Sequence, residues 1–340
     1  MIRFWRLAYS RTPPILDATG SVKAGSVAEL IQVPIGGIHQ TLLIRGHDCR
    51  RPVLLFLHGG PGGSAMPLYH LFANRLEEHF VVVLWDQRGA GKSYSPDIPA
   101  QSMTTAQLVQ DCQDVARYLI DRFGCDRVLL VGHSWGTELG VLTLQQAPQL
   151  FSGYVGVSQV VSKQRAEAIS MNFALEAARR AGDRKAEERL AHMEPPGYGG
   201  SVEDLLEQRR QVSRFGGTFF DPADDKRLFR KVFESHEYSL GDLRRLKEGS
   251  NWSLRTMWQD RLDLDMTRDV PELTVPVLFL QGRADRVTPG ELVQEYLDAL
   301  HAPRKRMVWF ERSGHCPLFE EPDRFQQVLI DAYANESSAH

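Results

Sequence analysis

Three short segments, far apart in the 340-residue chain, carry residue types suited to acyl transfer: Gly132-His-Ser-Trp-Gly136, Gly282-Arg-Ala-Asp285 and Ser313-Gly-His315. A serine hydroxyl is a weak nucleophile until a base removes its proton. Histidine can act as that base when a carboxylate fixes its tautomer and stabilises the imidazolium. The chain order serine, acid, histidine fits one known arrangement of such a set. Ser134 is therefore the candidate nucleophile, Asp285 the acid and His315 the base. A fourth segment, His58-Gly-Gly-Pro-Gly-Gly63, offers backbone N–H groups with few side chains in the way, which suits an oxyanion hole. The amides of Gly60 and Trp135 are the expected donors, and His58 is read as a structural hydrogen-bonder rather than a second base. This chemistry calls for no metal and no cofactor.

Such residues react only if a scaffold brings them to one edge. Residues 26–33 and 38–45 read as two strands joined by the Pro34-Ile-Gly-Gly37 turn. Compact apolar runs follow at 53–57, 80–85 and 128–131, with further runs at 153–158, 275–280 and 307–310. Their continuous apolarity suggests strands buried on both faces, as in a parallel sheet. Helical spacing at 104–123, with Thr104 or Thr105 as N-cap, and helix-like stretches at 137–147, 291–300 and 322–334 alternate with these runs. The pattern predicts an α/β fold with a doubly covered sheet. Ser134 then sits on a strand-to-helix turn, the nucleophile elbow. Asp285 and His315 follow late strands, at the carboxyl edge where open α/β sheets build their sites. The strand ending near Ser158 is followed by Gln159, so that loop holds no competing acid.

Residues 163–270 break the alternation. They carry 20 basic and 20 acidic side chains and no comparable apolar run, with interruptions at Pro195-Pro-Gly-Tyr-Gly-Gly200 and Gly216-Gly217. We read them as an insertion of solvated amphipathic helices, a cap on a core formed by 1–162 and 271–340.

Composition narrows the partners. Lys and Arg number 40 against 43 Asp and Glu, a net charge of −3, so there is no broad basic face for nucleic acid. The cysteines, Cys49, Cys112, Cys125 and Cys316, include no C-x-x-C pair, which argues against a zinc or thioredoxin-like motif and for a reducing compartment. No run of 18 apolar residues would span a membrane, and Met1 to Ser10 alternates apolar residues with arginines without forming a signal-peptide core. A cytoplasmic location is expected. The glycosylation-type triplets at Asn251 and Asn335 accordingly carry little weight. Gly91-Lys-Ser93 ends like a P-loop, but Asp86 stands where its first glycine belongs.

Taken together, HGGPGG at 58–63, WDQRGAGKS at 85–93, GHSWGT at 132–137, GRAD at 282–285 and SGH at 313–315 resemble the prolyl iminopeptidase-like peptidases. The resemblance implies an α/β-hydrolase fold, a mostly parallel central sheet with helices on both faces and an inserted helical cap. It also implies nucleophile, acid and base roles for Ser134, Asp285 and His315, and a loop-holding role for Asp86 and Arg88. The implied reaction is removal of an N-terminal residue, often proline, from a short peptide. A carboxylesterase or lactonase acting on small esters is the alternative. A catalytically silent ligand-binding fold is a third reading, against which the complete serine, acid and histidine set speaks. A serine nucleophile disfavours epoxide hydrolase and dehalogenase readings, which need a carboxylate. Family members bind the substrate amine with cap carboxylates, and one bacterial form carries Trp-Glu-Gly there, absent here. Glu234 and Glu237 are the candidates for that task. Trp252 and Trp258 are candidates for an apolar pocket or for packing within the cap.

Overall fold

The computed structural model describes residues 10–193, 201–260 and 262–334. The 195–200 interruption and the Asn335 triplet lie outside those residues. Eight strands form one sheet: β1 (Val27–Ile35), β2 (Ile38–Gly46), β3 (Val53–Leu57), β4 (Val81–Asp86), β5 (Val128–His133), β6 (Phe151–Val157), β7 (Val277–Gly282) and β8 (Lys305–Phe310). Their spatial order is β1-β2-β4-β3-β5-β6-β7-β8. The β1/β2 hairpin is antiparallel and β2 also runs antiparallel to β4; every later pairing is parallel.

Side-chain alternation along the strands builds two apolar layers. In β3, Val53, Leu55 and Leu57 face one layer and Leu54 and Phe56 the other. The first layer receives α1 (Thr105–Phe123), α2 (Trp135–Gln146) and α8 (Gly290–Ala299), through Leu108, Leu139 and Leu292 among others. The second receives Met66, Phe72 and Phe80 from the β3–β4 connection, and Phe325 and Leu329 from α9 (Pro322–Leu329). Both faces of the sheet are thus covered, which is why its strands read as unbroken apolar runs. Thr104 caps α1, its side chain accepting a hydrogen bond from the Gln107 amide. The last helical stretch covers the span its pattern suggests, as α9 to Leu329 and then as a π-helical turn at Ile330–Ala334.

Between β6 and β7 the chain forms α3 (Lys163–Arg180), α4 (Arg184–Ala191), α5 (Val202–Arg214), α6 (Ala223–Val232) and α7 (Leu240–Met257). No strand of the sheet comes from this stretch among the described residues. Ser201 and Ser239 begin α5 and α7 with reciprocal capping boxes to Asp204 and Asp242. An antiparallel bridge between Ser162 and Asp265, and a hydrogen bond from the Met266 amide to the Val161 carbonyl, bring entry and exit together. An insertion that leaves and returns at one point need not disturb the sheet. No described helix is long and apolar enough to cross a membrane.

Candidate active site

Strand β5 ends in a turn so tight that its neighbours must lack side chains. A Cβ on Gly132 would lie 2.5 Å from the Gly136 carbonyl oxygen, and one on Gly136 would lie 2.2 Å from that of Leu57. Ser134 between them has φ 54° and ψ −121°, a strained backbone for a residue with a side chain. Its amide donates to the Val157 carbonyl of β6. The sheet thereby holds the strain, and α2 starts one residue later at Trp135 rather than at Thr137.

The loops after β7 and β8 meet this turn. Ser134 Oγ lies 2.9 Å from His315 Nε2, and His315 Nδ1 lies 3.0 Å from Asp285 Oδ2. Asp285 Oδ1 accepts from the amides of Val287 and Thr288, and its Oδ2 accepts from the Thr288 hydroxyl and from Gln281 Nε2. Burial alone would raise the Asp285 carboxyl; the neighbouring His315 and the Thr288 hydroxyl and amide outweigh it and hold the carboxyl below its ordinary value. The three residues called from sequence are therefore brought together, with the acid kept ionised for the imidazole.

Burial pushes the imidazole of His133, beside Ser134, down to about 3, with His315 adding to the effect. Burial also pushes His58 down to about 4. Neither is a base with a pKa near neutral pH. His58 Nδ1 lies 2.8 Å from the Gly59 carbonyl, and its Nε2 accepts from the Gln87 amide. It joins the glycine-rich loop to the loop after β4.

That glycine-rich loop lies against the elbow. A Cβ on Gly59 would come 3.2 Å from the Ser134 Cβ. Gly60 has φ 130°, and a Cβ there would come 2.4 Å from the Gly62 nitrogen, so only glycine fits. Gly60 and Trp135 share a cavity wall with Ser134. The loop after β4 is a support: Arg88, 2% exposed, sets Nε and Nη2 against the two oxygens of Asp111 on α1 and donates to the Gly36 carbonyl of the hairpin turn.

Two cavities meet at Ser134. One, of about 650 Å³, is lined by Gly60, Trp135 and Trp258 and by two ion pairs: Glu138 with Lys163 at 3.1 Å, and Glu167 with Arg209. The other, of about 1610 Å³ and open at its mouth, is lined by His315 and by apolar side chains of α6 and α7. Glu234 and Glu237 line neither. Glu234 pairs with Lys231 at the surface, and Glu237 is buried, accepting from the Ser235 hydroxyl. The carboxylates that line a cavity together with the nucleophile are instead Glu138 and Glu167, which sequence reasoning missed. Glu138 was findable in principle, being the sole charge on α2, one helical turn after Ser134. Of the two tryptophans, Trp258 lines the smaller cavity, whereas Trp252 packs on Tyr94 with ring centroids 5.6 Å apart.

The sheet order, the elbow and the contact of three loops define an α/β-hydrolase. The sequence matches the alpha/beta hydrolase family over residues 54–328, and the chain belongs to that family. Within it, the chain is prolyl iminopeptidase-like. It is 32% identical over 308 residues to the probable aminopeptidase YbaC of Bacillus subtilis (strain 168), covering 89% of this chain and 96% of that protein. It is 38% identical over 297 residues to a proline iminopeptidase of Neisseria gonorrhoeae, covering 82% and 87% respectively. The crystal structure of a proline iminopeptidase from Mycobacterium smegmatis shares the fold, with a TM-score of 0.65 at 20% identity across 89% of this chain and 97% of that one.

Proposed function

We propose that this hydrolase is a serine aminopeptidase that releases an N-terminal residue, proline foremost, from short peptides. The observation that carries the reading is the continuous contact from Ser134 Oγ through His315 to Asp285. His315 Nε2 takes the Ser134 proton as the oxygen attacks the carbonyl carbon. The amides of Gly60 and Trp135 stabilise the tetrahedral oxyanion. His315 then gives its proton to the leaving nitrogen, the C–N bond breaks, and an acyl-enzyme remains. Water attacks the ester, its proton passing to His315, and Ser134 is regenerated.

Two points favour a peptide over a simple ester. The relatives carry aminopeptidase and proline iminopeptidase names, and the smaller cavity holds the carboxylates of Glu138 and Glu167, each already paired with a cation, as acceptors for the hydrogen bonds of a substrate amine. Soluble short peptides in the cytoplasm are the expected substrates.

The test is turnover of prolyl-arylamides against short-chain acyl esters by wild type and Ser134→Ala, with fluorophosphonate labelling of the serine. Amide turnover lost in the folded variant is the expected result. Ester turnover with no amide turnover would transfer the site to the carboxylesterase reading, and retained activity in Ser134→Ala would remove the mechanism.

A further inference from the structure

We infer that the larger cavity receives the leaving group, and that it selects an apolar residue followed by a free carboxylate, the second residue and C-terminus of a di- or tripeptide. The inference rests on the serine mechanism above and adds the half of the substrate that mechanism leaves undefined.

The first step is assignment of sides. Both cavities reach Ser134, but His315 lines only the larger one. The group that protonates the leaving atom must lie within hydrogen-bond reach of it. The departing amine therefore sits in the cavity that His315 faces. The acyl residue occupies the smaller one, beside Trp135 and the carboxylates.

The second step is chemistry. The larger cavity is walled by Leu68, Val232, Leu243 and Phe319, and it opens past Phe229 and Phe233. These two rings stand 5.4 Å apart edge to face, yet Phe229 is 67% and Phe233 50% exposed. Leu240, also lining the cavity, is 52% exposed. Large apolar side chains left in water at the mouth of a reactive cavity gain by covering an apolar partner.

The third step is charge. Among the described residues no Asp or Glu lines this cavity, while Arg244 and Lys247, three residues apart on α7, do. The smaller cavity holds both signs. Neighbours three apart on a helix share a face, so the two cations lie side by side on the cavity wall. Glu248 engages Arg244 from outside the lining, at 2.8 Å. An anion at the far end of an apolar leaving group meets these cations without an opposing carboxylate in the wall. A peptide ending one or two residues after the cleaved bond supplies that anion.

The experiment compares Pro-Phe with its C-terminal amide, and with Pro-Asp amide, on wild type and on Arg244→Gln/Lys247→Gln. Both positions are on the surface, so the variant folds. Because the cations are solvated, the carboxylate preference should be modest, about two- to fivefold in KM. It should vanish in the double variant while kcat holds, and Pro-Asp amide should be the poorest substrate. Equal KM for acid and amide in wild type, or a preference that survives the double variant, overturns the inference. Acetate esters of benzyl alcohol and 4-(hydroxymethyl)benzoic acid give the same comparison without a peptide bond. Ester cleavage with carboxylate preference but no peptide cleavage keeps this inference and rejects the aminopeptidase reading. Cleavage of neither series overturns both.

Discussion

Tyr238, just before α7, donates its hydroxyl to the buried carboxylate of Asp86 at the end of β4. The same carboxylate accepts from the Ser64 hydroxyl and from the Lys92 amide. Lys92 Nζ in turn meets Asp242 in the capping box of α7, 2.6 Å away. A Cβ on Gly91 would fall 2.1 Å from the Tyr238 hydroxyl, so the glycine in WDQRGAGKS makes room for this contact. The loop after β4 thus docks α7 onto the sheet, and α7 carries a wall of the larger cavity. Burial raises the Asp86 carboxyl, and the Ser64, Tyr238 and Lys92 donors oppose that rise.

Removing the hydroxyl should expose that balance. Tyr238→Phe leaves a buried acceptor short of a donor, at a cost of about 1–3 kcal/mol. Urea unfolding should show this loss, while fluorophosphonate still labels Ser134. Unchanged stability would mean that the contact does not hold the helix.

A second anchor lies deeper. Arg88 and Asp111 are both almost fully buried and paired at 2.8 Å, with Gln40 and Gln107 also donating to Asp111. Breaking such a pair strands a charge, so Asp111→Ala should cost about 3–5 kcal/mol. Arg88→Met combined with Asp111→Leu should cost less than Asp111→Ala alone. Additive losses in the double variant would show that the two residues act separately.

The contrast between the core and the insertion explains what could be read from sequence. β3 was legible to the residue because Val53 to Leu57 is apolar on both faces and bounded by Pro52 and His58. Ser134, Asp285 and His315 were legible because each follows such a strand. Glu234 and Glu237, which lie in the connection between α6 and α7, were chosen from twenty acids of a charged insertion, where local pattern does not say which side chain turns toward Ser134. Glu167 resembles any other acid on α3, yet it is 3% exposed and faces the nucleophile's cavity. Its placement depends on how α3 and α5 pack against each other, and no single segment encodes that.

Within the relay, Asp285 holds the imidazole through Nδ1. Asp285→Asn keeps the volume but can offer Nδ1 an N–H where it needs an acceptor, which favours the wrong tautomer. A fall in kcat of about 10³- to 10⁴-fold is expected, with unfolding still cooperative. The fall should be measured as a full pH profile. A loss of less than tenfold at neutral pH would mean that another group orients His315.

Glu320 gives the clearest dependence on pH. Its Oε2 accepts from the amides of Gly314 and Cys316 on either side of His315, and its Oε1 accepts from the Phe220 amide before α6. Burial raises this carboxyl from its ordinary value of 4.5 to about 7, against the pull of those three amides. Between those two values the folded chain holds a proton that the unfolded chain has released, so stability falls as pH rises. The contribution is complete below the unfolded value and is lost as pH passes through 7. His133 and His58 act in the opposite sense: buried neutral, they are protonated first in the unfolded chain, and they lower stability as pH drops below the ordinary histidine value. Comparison of wild type with Glu320→Gln cancels the histidines, since both proteins contain them. The stability difference, wild type minus variant, should therefore decline from pH 5 to pH 8 in urea titrations. A difference that stays flat across that range would show that Glu320 ionises at an ordinary pH, and that the amides flanking His315 fully offset its burial.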